Sequence, residues 1–69
     1  MDNQNLIAFI SAAEKKSFSE AAAILDVTQS TISKRIAQLE FKVGKKLFDR
    51  IARKVHLTEA GKELLPRAK

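Results

Sequence analysis

Three residues, "DVT" at 26–28, separate two stretches of helical character, and this break constrains the fold more than any other feature of the chain. Before it, Phe18 to about Leu25 is rich in alanine. After it, Ile32, Ile36, Leu39 and Val43 keep to one narrow stripe of a helix, with Val27 leading into it. Two helices joined by so short a link must be neighbours at a steep angle, which is the geometry of a helix-turn-helix. Asp26 tolerates the turn conformation, and Thr28 can cap the helix that follows.

The same logic extends in both directions. Leu6, Phe9, Ile10 and Ala13 form one apolar stripe, predicting a first helix over about Asn3 to Lys15. "SFSE", Ser17 to Glu20, has the form of a capping box at the start of the second helix. Ala21–Ala23 then reads as a packing surface that lets another helix come close. The third helix runs from about Gln29 to Val43 and stops at Gly44. Beyond it the period changes: Phe48, then Val55 and Leu57 in alternation, predict two short strands with a loop near 50–53. Thr58 caps a fourth helix with Leu64 and Leu65 on its apolar side, where Pro66 removes a hydrogen bond or marks a kink. This helix is expected to leave the compact body, so Leu64 and Leu65 are assigned to a dimer contact rather than to the core. The predicted fold class is mainly α: a winged helix-turn-helix of three helices and a two-stranded wing.

A chain of 69 residues is one small domain, and without cysteine it has neither disulfides nor thiolate metal sites. Its longest uncharged stretch, Asn3 to Ala13, contains polar residues and is too short to span a bilayer. The basic start and cleavage pattern of a signal peptide are also missing, so the expectation is a soluble cytoplasmic protein with no membrane partner. Charge is distributed unevenly. Residues 1–28 carry two lysines against four acids, whereas residues 29–69 carry eleven Lys and Arg against four acids. A half-domain this basic points to a polyanion, most often nucleic acid. An enzyme is disfavoured, because the one histidine lies on a basic hairpin and there is no Gly-rich phosphate loop. No carboxylate pair has a general base beside it, and neither a cofactor nor a metal is expected.

The outer face of the third helix carries the functional reading. Gln29 can make a two-pronged contact with adenine; Ser30 and Ser33 can donate or accept toward any base; Lys34 can reach guanine acceptors or a phosphate. In a winged helix-turn-helix this helix enters the major groove of duplex DNA N-terminal end first. Arg50, Arg53 and Lys54 on the wing would bind phosphates or the adjacent minor groove. The competing reading is a solvated helix face, with Arg50 paired to Asp49 or Glu40. A protein-docking helix would instead need an apolar outer face, and only Phe41 offers that. His56 alternates with Val55 and Leu57 and is expected to point outward.

Along nearly its whole length the chain resembles the N-terminal DNA-binding domain of LysR-type transcriptional regulators of bacteria. The resemblance rests on "LIAFISAAEKKSFSEAAAILDVTQSTISKRIAQLE" followed, in order and spacing, by "LFDRIARKVHLTEAG". The second stretch favours this family over other winged-helix regulators, such as those that sense metal oxyanions. The resemblance implies base and nearby phosphate contacts for Gln29, Ser30, Ser33 and Lys34. It implies backbone contacts for Thr28 and Thr31, and a minor-groove position for Arg53. It also implies a division into a DNA-binding domain at 1–57 and the start of a dimerisation linker helix at 58–69. A full-length relative would be a homodimer that senses a small-molecule co-inducer through a domain absent here, and this chain alone is expected to be monomeric or weakly dimeric. Several positions depart from the family pattern. Ser30 stands where many relatives have proline, and Lys34 where many have arginine, which removes the two-pronged fork from position 34. Ile51–Ala52 replaces a glycine- or proline-containing wing tip, and Phe41 replaces a polar residue.

Overall fold

The computed structural model describes residues 3–51 and 54–68. Helix α1 spans Asn3–Lys15, α2 Phe18–Leu25 and α3 Gln29–Val43; strands β1 (Phe48–Ile51) and β2 (Lys54–Leu57) follow, and α4 spans Glu59–Ala68. The first three helices each pack on the other two, and α4 lies against α1 and β2. This is the winged helix-turn-helix arrangement expected from the sequence.

All three residues of the "DVT" turn have a structural task. Asp26 adopts the left-handed conformation at φ 56° and donates its N–H to the Ala23 carbonyl, while the Val27 N–H reaches back to Ala22 at 3.0 Å. This pair of bonds is a Schellman motif, built on aspartate instead of the more usual glycine. Thr28 then caps α3: its Oγ1 accepts the Thr31 N–H at 3.1 Å. At the start of α2, Ser17 accepts the Glu20 N–H at 3.1 Å, the forward half of the predicted capping box. Lys16, between α1 and that cap, is forced into left-handed φ of 54°. For a lysine this costs roughly 1–2 kcal/mol, because Cβ crowds the following carbonyl.

The core holds Phe9, Ile32, Leu39 and Leu47 with no exposure at all. Phe48 brings the wing into it, its ring 5.5 Å from both Phe9 (57° between planes) and Phe18 (83°). The buried side of α1 is Asn5, Ala8, Phe9, Ala12 and Ala13, with Leu6 and Ile10 only half-buried. The helix is therefore rotated from the stripe expected of its larger apolar residues, with Ala8 and Ala12 turned fully inward. The alanine surface of α2 also needs correction: Ala21 and Ala22 are buried, but Ala23 is exposed.

The wing is antiparallel, with Phe48 opposite Leu57, Asp49 opposite His56, Arg50 opposite Val55 and Ile51 opposite Lys54. Thr58 closes it and opens α4. Its N–H donates to the Leu47 carbonyl at 3.0 Å, its hydroxyl donates to the Lys46 carbonyl at 2.6 Å, and the same oxygen accepts the Gly61 N–H at 3.1 Å. Helix α4 runs through Pro66 and does not leave the body as expected. Ala60, Leu64, Leu65 and Ala68 are half-buried against the core. Gly61 permits this approach, since a Cβ there would collide with the Leu47 carbonyl oxygen and come within 2.8 Å of a Leu57 methyl.

Candidate nucleic-acid interface

The N-terminal turn of α3 is held from behind by Ile32, Ile36 and Leu39, all buried, and at its end by the Thr28 cap. Gln29, Ser30 and Lys34 are exposed, and Ser33 is half-buried. At about 100° per residue, these side chains do not form one flat patch. Ser33 sits on the flank that faces the wing, in a concavity shared with Phe18, Glu40, Lys46, Phe48 and Asp49. Lys34 sits on the other flank, in an open groove with Asn5, Ala37, Gln38, Phe41 and Lys42. Ser30 lies between the two flanks, and Gln29 projects from the first turn. The face can thus offer donors and acceptors across the width of a ligand that wraps around the helix end.

The two threonines are engaged locally. The Thr28 and Thr31 hydroxyls lie 2.9 Å apart, and Thr31 is half-buried, so both hydroxyls already share a hydrogen bond within the cap. Arg50 and Lys54 belong to β1 and β2. Their side chains, and the whole of Arg53, lie outside the described residues.

The root of the wing is tied to α3 by a residue that the sequence offered only as a partner for Arg50. Glu40 accepts the N–H of Leu47 at 2.8 Å and that of Phe48 at 3.4 Å. A carboxylate acceptor makes the 2.8 Å bond a strong one, and the 3.4 Å bond is a weak second. Lys46, in the same concavity as Ser33, adds a cation between α3 and the wing that motif reading missed. The basic run Lys45–Lys46 just after the helix stop was the available signal. Phe41 is 88 % exposed on the outer face, and His56 points outward as expected.

Leu64 and Leu65 are half-buried by their own chain, leaving only part of each side chain for a second copy. Among the described residues no cluster of three or more His, Cys, Asp or Glu could hold a metal ion. No described helix is long and apolar enough to cross a membrane.

Residues 4–62 match the family described as bacterial regulatory helix-turn-helix proteins of the lysR family. The chain belongs to the LysR family. Among its relatives, an uncharacterized HTH-type transcriptional regulator in the ibpB-leuC intergenic region of Azotobacter vinelandii is 57 % identical over 68 residues. That match covers 99 % of this chain and 47 % of the relative, so the chain spans about half the length of that protein. Two solved complexes share the LysR fold closely. The CbnR DNA-binding domain bound to DNA superposes with a TM-score of 0.94 at 35 % identity, covering 99 % of this chain and 78 % of that one. The BenM DNA-binding domain on catB site 1 DNA gives 0.93 at 32 % identity, covering 99 % and 76 %.

Proposed function

We propose that this chain binds double-stranded DNA sequence-specifically, as the N-terminal domain of a LysR-type transcriptional regulator. The observation that carries this reading is the exposed, capped N-terminal turn of α3, where Gln29, Ser30 and Lys34 face outward from a rigid core. With α3 in the major groove, Gln29, Ser30, Ser33 and Lys34 contact base edges and nearby phosphates. Thr28 and Thr31 approach the backbone, the positive end of the helix dipole adding to the attraction for phosphate. Arg50, Arg53 and Lys54 carry the wing onto the backbone or into the minor groove. The DNA complexes solved for the CbnR and BenM domains support the duplex-binding reading.

In this reading residues 1–57 are the DNA-binding domain, and 58–69 begin the helix through which two copies pair, using what remains exposed of Leu64 and Leu65. A dimer would set two α3 helices in successive major grooves of an interrupted palindrome. The 69-residue chain alone is monomeric or weakly dimeric. The activity is cytoplasmic binding, not catalysis, and a small-molecule co-inducer would act through a separate domain of the whole regulator.

Fluorescence anisotropy across a salt series tests the reading, comparing an interrupted-palindrome duplex with a scrambled one. Phosphate contacts appear as a log–log slope of about −0.9 each. The Gln29→Ala/Ser33→Ala variant should lose its preference between duplexes while keeping that slope. Absence of binding to either duplex at low salt, even with the chain forced into dimers, would reject the reading.

A further inference from the structure

Away from the exposed turn of α3, three basic side chains brought together from separate parts of the chain line one concavity of ≈ 260 Å³. They are Lys16 after α1, His56 on β2 and Lys62 on α4, over an apolar floor that includes Ala13, Val55 and Leu57. All three basic residues are exposed to solvent. The space is smaller than the roughly 300–1,000 Å³ of drug-sized sites, which suits a single small anion.

Lys16 is the decisive residue. Among the described residues only Lys16 and Asp26 hold positive φ without being glycine. Asp26 suits its place, because a short polar side chain tolerates the left-handed conformation. Lysine has no such allowance, and glycine would take φ of 54° without steric cost. The backbone therefore does not favour lysine at position 16, whereas its charge lines this concavity. We propose that Lys16, His56 and Lys62 form a phosphate-binding site. Two ammonium groups supply mobile point charges, and the imidazole supplies an N–H donor.

Glu59 and Asp49 leave the cluster open. Glu59 approaches Lys62 at 3.8 Å, but the two side chains are 92 % and 64 % exposed, so water screens the pair and Lys62 can turn away. Asp49 stands opposite His56 in the wing register. It lines the concavity beside Ser33, whereas His56 lines this one.

The phosphate could belong to a DNA backbone flanking the sequence contacted by α3, or to a small phosphorylated molecule. The first source rests on the duplex-binding reading, and the second does not. The test uses the intact chain, Lys16→Gly, Lys62→Gln and the double variant in two measurements. One is the salt slope of duplex binding. The other is an NMR titration with inorganic phosphate against chloride at constant ionic strength, following the amides of residues 16, 56 and 62. Urea unfolding controls for fold, and Lys16→Gly should raise the midpoint because it relieves the backbone.

If the ligand is DNA, the double variant flattens the slope by about 1.8, two contacts at about 0.9 each. If it is a free anion, phosphate shifts the three amides in the intact chain and not in the double variant. An unchanged slope together with unshifted amides overturns the site while leaving duplex binding intact. Should the intact chain bind no duplex, the duplex reading fails and the phosphate titration alone decides the site.

Discussion

Glu40, in the last turns of α3, accepts the backbone N–H of Leu47 at 2.8 Å, so the helix that carries the proposed base-reading face also carries the root of the wing. The same oxygen lies 3.4 Å from the Phe48 N–H, and Phe48 stacks into the core. The root of the wing is thereby tied to the helix. Replacing Glu40 by Ala leaves two partly buried amides without this acceptor, at about 1–3 kcal/mol. For a domain of this size, each kcal/mol lowers the melting temperature by about 4–8 °C. Glu40→Gln keeps an acceptor oxygen and should recover much of the loss in thermal unfolding. Equal melting temperatures for the intact chain and Glu40→Ala would show that Glu40 does not tether the wing.

Gly61 gives a prediction whose sign opposes simple propensity. In a helix, Gly→Ala ordinarily stabilises by up to about 1 kcal/mol. Here the new Cβ would collide with the Leu47 carbonyl and crowd Leu57 at 2.8 Å. Overpacking of this kind costs about 1–3 kcal/mol. Urea unfolding should find Gly61→Ala less stable than the parent, and a more stable variant would mean that α4 does not pack so closely on the wing.

Thr28 both ends the turn and starts α3. Thr28→Ala removes the acceptor for the Thr31 N–H at 3.1 Å and the partner of its hydroxyl at 2.9 Å. The expected loss is about 1 kcal/mol. Thr28→Ser should keep most of the cap. Amide hydrogen exchange at residues 31 and 32, whose N–H groups bond to Thr28, would report fraying of the first turn in the alanine variant alone; equal protection in both variants would refute the capping role.

The course of the three helices was legible because each was set by local rules: a 3.6-residue apolar repeat, a side-chain cap and a turn residue. Ser17, Thr28 and Thr58 all act as caps, as their positions before helical runs indicated. The alternation of Val55 and Leu57 likewise located the wing. What escaped the sequence depends on contacts between elements. Helix α4 turns back because Gly61 leaves room for the Leu47 carbonyl, and glycine near a helix start carries no signal of that neighbour. Glu40 bonds to amides seven and eight residues away, outside any helical repeat. In α1, Ala8 and Ala12 took the innermost face ahead of Leu6 and Ile10, since side-chain size alone does not say which helix comes closest. At the candidate site, the residues of α3 were legible as types, but their division between two flanks was not. The strain at Lys16 was legible in principle: two residues between adjacent helices, neither of them glycine, leave one residue to take positive φ.

Selection from a random duplex library would show whether the first turn of α3 reads base edges. The intact chain and Gln29→Ala would be selected in parallel at the same salt concentration. The intact chain should enrich a motif, and the variant should lose preference at a single position within an otherwise unchanged motif. A good base contact is worth about 1–3 kcal/mol of discrimination, enough for that position to relax visibly. The same motif at full strength from both proteins would leave α3 as a backbone-positioning helix and move sequence recognition elsewhere on the domain.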